Sequence, residues 1–207
     1  MALGIYTCLR TRAGGGQVSA PCGDKDIELT LGRLHQLIGG KDNLEIALDI
    51  YTRLRSRAAG GQTNTPCNDK EIELALGRLL QTIGGTNNLK MALDIFTRLR
   101  TRAARGQANI PCEDKEIELA LGRLLQTMGG TENLRKAWDI LTQLRTQAAG
   151  GQANTPCEDK EIELFLGRHL QVLGGTEHQR TALDIFTRLR TLMAGGPGCA
   201  PGQPVDE

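Results

Sequence analysis

The chain has 207 residues, with 25 basic and 24 acidic side chains, 39% hydrophobic and only 3% aromatic residues. A formal charge of +1 excludes a polybasic nucleic-acid binder, which needs a cationic excess to neutralise phosphates, and equally excludes an acidic disordered tail. No run approaches the roughly 18 apolar residues of a membrane helix. The opening MALGIYTCLRTR lacks the h-region and cleavage site of a signal peptide, so the expectation is a soluble, cytoplasmic protein.

The first residues already belong to a repeat. Ala2-Leu3-Gly4-Ile5-Tyr6-Thr7-Cys8-Leu9-Arg10 stands 45 residues before Ala47-Leu48-Asp49-Ile50-Tyr51-Thr52-Arg53-Leu54-Arg55, so residues 1–20 read as half a unit and a loop. Pro-Cys then recurs at Pro21-Cys22, Pro66-Cys67, Pro111-Cys112 and Pro156-Cys157, always at an interval of 45. Leu-Gly-Arg recurs in step at Gly32, Gly77, Gly122 and Gly167. An ungapped period of this length signals a solenoid or array. The units are 21–65, 66–110, 111–155 and 156–194, and 195–207 form a Gly/Pro-rich tail.

Within residues 66–110, Ile72, Leu76, Leu79, Leu80 and Ile83 fall at helical spacing and predict a first helix, A. Pro66 suits the first helical position with Thr65 capping ahead of it, and in the fourth unit Glu158 completes a capping box with Thr155. Gly84-Gly85 predicts the end of that helix. Thr86 is placed to cap a second helix, B, whose stripe is Leu89, Ala92, Leu93, Phe96, Leu99 and Ala103. Arg98, Arg100 and Arg102 lie near its C-terminal end, where cations favour the dipole. Nothing reads as a strand. Each hairpin has one apolar side per helix and needs its neighbours to cover it, so the fold class is all-α, a solenoid of two-helix hairpins. Gly77 offers a place for close helix approach, with bulk supplied at Tyr51, Phe96, Leu141 and Phe186.

Leu76-Gly77 with Leu80, followed by Ala92 and Phe96, resembles the tetratricopeptide pattern. The same correspondence holds for Leu31-Gly32 with Ala47 and Tyr51, for Leu121-Gly122 with Ala137, and for Leu166-Gly167 with Ala182 and Phe186. The period of 45 exceeds that family's about 34 and matches HEAT and armadillo repeats, at about 40 to 47, which makes a HEAT-like array the second resemblance. The first resemblance implies a right-handed superhelix over residues 2–194 that binds an extended peptide on a concave face lined by helix A. Carried over residue by residue, that lining is Asp26, Leu29, Arg33, Gln36 and Leu37, then Glu71, Leu74, Arg78, Gln81 and Thr82. It continues with Glu116, Leu119, Arg123, Gln126 and Thr127, and then Glu161, Leu164, Arg168, Gln171 and Val172.

Leu74 sits about 200° around the helix from Leu76, with Arg78 one turn further along the same side. The repeated Leu-x-x-x-Arg-x-x-Gln therefore forms a ladder suited to peptide carboxylates or amides. The alternative is that Leu74 packs on the neighbouring repeat while Arg78 pairs with Glu73 or Glu71. Arg53, Arg55, Arg57, Arg98, Arg100 and Arg102 suggest a phosphate stripe, but only residues 66–110 are clearly positive, with seven basic against four acidic groups. Nucleic acid is not expected as a partner, and aromatic stacking platforms are scarce.

Cys22, Cys67, Cys112 and Cys157 occur once per unit, and stacked repeats about 10 Å apart exceed disulfide reach. A helix N-terminus lowers a thiol's pKa, whereas a buried filler needs no such role. With His35, His169 and His178 sporadic, no metal site, cofactor or small-molecule substrate is expected. Glu71 and Glu73 point to different sides of the helix and make no acid–base pair, and no nucleophile has a base beside it, so no enzymatic activity is expected. The expected partner is a protein or peptide. The alternative is a self-associating array in which the apolar side of the opening helix, Ile5 and Leu9, docks on another copy.

Overall fold

The computed structural model describes residues 2–13, 23–62, 65–106, 112, 114–152 and 155–194; Cys22, Pro111, Cys199 and the 195–207 tail lie outside them. All described secondary structure is helical. The order is α1 (Ala2–Ala13), α2 (Lys25–Ile38), α3 (Lys41–Ala58), α4 (Lys70–Ile83), α5 (Thr86–Ala103), α6 (Lys115–Met128), α7 (Thr131–Ala148), α8 (Lys160–Leu173) and α9 (Thr176–Ala194). Even-numbered helices are the expected helix A, and odd-numbered ones are helix B. The chain divides into two compact units, Met1–Met128 and Gly129–Glu207, and the division falls between the two helices of the third repeat.

In the first unit every helix packs on the next, and α2 packs on α4 and α4 on α6. In the second, α7 packs on α8 and α8 on α9. Consecutive helices thus form repeated hairpins of the α-solenoid kind. No helix among the described residues is long and apolar enough to cross a membrane.

The start of helix A differs from its expectation. Pro66 and Cys67 precede the helix, which begins at Lys70 with Asp69 as its N-cap. The Asp69 carboxylate accepts from the Glu71 and Ile72 amides at 3.0 and 3.3 Å, and Asp24, Asp114 and Asp159 do the same in their units. An aspartate that satisfies two orphan amides outcompetes Thr65. Burial alone would raise the Asp69 carboxyl, but the Lys25 ammonium and the helix amides together hold it below its ordinary range.

Helix A ends as expected, at glycines of positive φ such as Gly84 (φ 74°). Helix B is capped by the second glycine, without a side-chain cap, in place of Thr86. The Gly84 carbonyl accepts from Asn88 Nδ2 at 2.8 Å, and Asn43 and Asn133 bond Gly39 and Gly129 in the same way.

The hairpin core is built on the expected close approach. A Cβ at Gly77 would lie 2.4 Å from Phe96 Cε1, and one at Gly32 2.4 Å from Tyr51 Cε1, so only glycine admits the ring. Ile72, Leu76, Leu79, Leu80, Ala92, Phe96 and Leu99 are buried, and Ile95 joins them. Ile83 and Ala103, placed on the stripes by spacing, are exposed at the helix ends.

Between hairpins runs a buried ion pair. Glu73, Glu118 and Glu163 are all but inaccessible, and Glu28 is buried with them. Arg55 Nε donates to Glu73 Oε1 at 2.8 Å, Arg100 to Glu118 at 2.7 Å and Arg145 to Glu163 at 2.7 Å. The same carboxylate oxygen accepts the backbone N–H of Cys67, Cys112 or Cys157 at 2.9–3.0 Å. In the last repeat, Arg188 also donates to Glu163. Glu73 is therefore no surface partner for Arg78, and Arg55, Arg100 and Arg145 are unavailable for a phosphate stripe.

Such a clamp is costly to break from one side, because removing one partner strands the other charge in low dielectric, at about 3–5 kcal/mol. Glu118→Ala is expected to lose a stability of that order in urea denaturation. Arg78→Ala, which breaks an exposed pair, is expected to lose no more than about 1 kcal/mol. Similar losses from both would argue against the buried clamp.

In the second unit, His169 of α8 is fully buried and stacks on Trp138 of α7, with centroids 6.2 Å apart and planes at 26°. Leu79 and Leu124 occupy its position in other repeats. Burial lowers the His169 pKa below the roughly 6.5 of an unfolded chain. The folded state then binds fewer protons, so stability is full above that pH and falls as pH drops below it. The urea midpoint is expected to fall between about pH 7.5 and 5.5, and His169→Leu is expected to remove the part of the decline that this residue causes. An unchanged pH profile in His169→Leu would assign the decline elsewhere.

Candidate functional site

The helix A ladder predicted from sequence is placed along the first unit, but much of it is engaged between repeats. Lys25 Nζ bridges to Asp69 at 2.8 Å and Glu71 at 3.0 Å. Lys70 does the same to Asp114 at 2.6 Å and Glu116 at 3.4 Å. Arg78 Nη2 donates to Glu116 Oε1 at 3.0 Å. Gln36 Nε2 donates to Thr82 Oγ1 at 3.0 Å and Gln81 Nε2 to Thr127 Oγ1 at 2.8 Å. These bonds lock the register of neighbouring A helices.

The leucines of the ladder are mostly buried, as the alternative reading of Leu74 expects, although Leu74 also borders a cleft. Leu29, Leu74 and Leu119 are buried, and they serve the core. Leu164, in the fourth repeat, is 38% exposed. Asp26, Glu161, Arg168 and Gln171 are exposed, while Arg123 and Gln126 are half-buried.

One part of the predicted lining forms a cleft. Arg33, Gln36 and Leu37 of α2, Glu71, Leu74, Ala75, Arg78 and Thr82 of α4, and Glu116 of α6 surround a volume of about 490 Å³, with Tyr51 of α3 also in its wall. Leu37 is 82% exposed at its rim. The two carboxylates are held, Glu71 by Lys25 and Glu116 by Arg78 and Lys70. Arg33 has no hydrogen bond or ion pair among the described residues, whereas its counterpart Arg78 shares Glu116 with Lys70.

Spacing in sequence identified Tyr51 as core bulk and missed its second role. The residue is fully buried, and its hydroxyl has no hydrogen-bond partner. Burial pushes its pKa up to about 12, partly offset by the Arg33 charge, so the phenol stays a neutral donor at physiological pH. The available signal was that Phe96 and Phe186 fill this position without a hydroxyl.

Three of the described cysteines are shielded from solvent. Cys67, Cys112 and Cys157 are buried free thiols, each donating to the carbonyl of the N-cap aspartate two residues on, at 3.6–3.7 Å. Burial pushes all three thiols up, Cys112 to about 11. This is opposite to the lowering that a helix N-terminus would produce, because the thiol sits before the helix, beside the buried glutamate. Among the described residues no three of His, Cys, Asp and Glu converge as metal ligands do. Of the self-association candidates, Ile5 is 55% exposed on α1, and the Leu9 side chain lies outside the described residues.

No family model, curated protein or solved structure matches the chain. The cleft joins one guanidinium without an ion pair, two glutamates held by neighbouring cations, and a wall formed by Leu74, Ala75 and the buried Tyr51.

A buried hydroxyl without a partner costs about 1–3 kcal/mol relative to one that is bonded. Tyr51→Phe is therefore expected to raise the urea midpoint, by about 1 kcal/mol of stability. A lower midpoint would mean that the hydroxyl is satisfied in the free protein.

Proposed function

We propose that the chain is a non-enzymatic interaction scaffold that holds an extended peptide segment in the α2–α4 cleft, with a peptide carboxylate at Arg33 and Tyr51. The observation that carries this reading is the pairing of an unengaged guanidinium with an unpartnered buried hydroxyl in one cleft. Tyr51 is a buried donor whose unsatisfied state costs stability, Arg33 is an exposed cation, and a carboxylate offers an acceptor to both. A guanidinium favours planar bidentate acceptors over a point charge. The Gln36 amide, which also donates to Thr82, keeps its carbonyl oxygen for a peptide backbone N–H. The close contacts of Gly32 with Tyr51 and Gly77 with Phe96 support a tetratricopeptide-like reading of the hairpins.

Self-association through α1 is the second reading, favoured by the exposure of Ile5. The two are separated by an array of fluorescent octapeptides, with and without Asp and Glu, titrated against the chain. Bound peptides are expected to be enriched in carboxylates, and Arg33→Glu to weaken them at least about tenfold, or about 1.4 kcal/mol. Arg135→Glu, on the other compact unit and outside the cleft, is expected to leave them unchanged. Binding indifferent to Arg33 would sink the cleft assignment, and an oligomeric mass that Ile5→Asp reduces would favour the second reading.

A further inference from the structure

The first unit shows what a hairpin of this array presents to its successor. The donors are Lys25 and Lys70, Arg78, Gln36 and Gln81, and from helix B Arg55 and Arg100. The acceptors lie chiefly in the first turn of the following helix A: the N-cap aspartate, the glutamate two residues on and the buried glutamate four residues on. Cations on the trailing side thus meet three carboxylates on the leading side.

In the second unit, α8 and α9 carry the same donors in the same register. Lys160 corresponds to Lys70, Arg168 to Arg78, Gln171 to Gln81 and Arg190 to Arg100. None of the four has a hydrogen bond or ion pair among the described residues. The apolar positions agree: Leu164, the counterpart of buried Leu74, is 38% exposed, and Leu183, the counterpart of half-buried Leu93, is 65% exposed. Beyond Ala194 the sequence departs from the repeat pattern, and Pro204 stands where the period would place the aspartate cap.

We propose that this trailing face of α8 and α9 is a docking surface for a helix of a partner protein whose first turn carries Asp-x-Glu-x-Glu. Charge complementarity selects the occupant: three unpaired cations and an amide flank two exposed leucines, the counterparts of groups that elsewhere bind this acidic turn. A second copy of the chain does not offer it, because the corresponding turn of its own α2 has Glu28 buried and α1 packed against the helix. The partner helix would receive Arg190 on its third carboxylate, as Glu118 receives Arg100, and lay its apolar side on Leu164 and Leu183.

The probe is a fluorescein-labelled hairpin of residues 65–106, which opens on Asp69, Glu71 and Glu73, titrated into the full chain and read by anisotropy. Saturable binding is expected, weakened at least about tenfold by Arg190→Glu with Lys160→Glu, and comparably by Glu73→Gln in the probe. Arg33→Glu is expected to leave it intact, which separates this surface from the peptide cleft. Because a free hairpin folds as it binds, the same hairpin is also tethered after residue 207 by a flexible Gly/Ser linker, where a rise in thermal midpoint that Arg190→Glu abolishes reports docking. No saturable binding of the free probe together with no rise for the tethered one overturns the proposal. So does binding indifferent to Arg190 and Lys160, or a mass of the chain alone that rises with concentration and falls on Arg190→Glu, which would make a second copy the occupant.

Discussion

The arrangement depends on one buried contact, the arginine of helix B against the glutamate of the following helix A. A carboxylate taken out of water requires a counter-charge and satisfied lone pairs. Glu73 obtains both from Arg55 and the Cys67 amide. That single oxygen therefore joins three pieces of chain: the end of one hairpin, the loop that leaves it and the helix that begins the next. Apolar burial supplies much of the driving force for stacking, yet it is nearly indifferent to sliding along an interface of similar leucines. A charge pair with an 18-residue offset is not, and it holds each repeat in one register.

The exposed contacts between A helices extend this register with weaker interactions. The lysine-to-acid bridges and the glutamine-to-threonine bonds lie at the surface, where each adds little by itself. Repetition makes them consistent with one another, so departures stand out. Arg33 is such a departure, because it is unpaired where its counterpart Arg78 holds Glu116, and Tyr51 is another, because a hydroxyl stands where related positions have Phe or Leu. The two fall in the same cleft.

Two errors of sequence reading share a cause. Thr65 and Pro66 form a good helix start, as do Asp69 and Lys70, and local propensity ranks the two nearly alike. The choice follows from Glu73, which needs the Cys67 amide and so holds the preceding segment out of the helix. Likewise Arg55, Arg100 and Arg145 read as cations near a helix C-terminus, since their partners lie one hairpin away. Leu74 is the converse case. Its angular position off the main stripe was legible and left two alternatives, a groove lining or packing on the neighbouring repeat, and only the structure shows that it is buried.

The period of 45, the two helices per unit, the glycine pair between them and the contact of Gly77 with Phe96 were determined by the sequence itself, because they rest on local spacing, backbone freedom and side-chain size. The tertiary structure decided which charges are buried, where helix A begins and which donors remain unengaged. Those outcomes depend on desolvation and on distances between residues of different hairpins, and neither is contained in the order of residues along a single repeat.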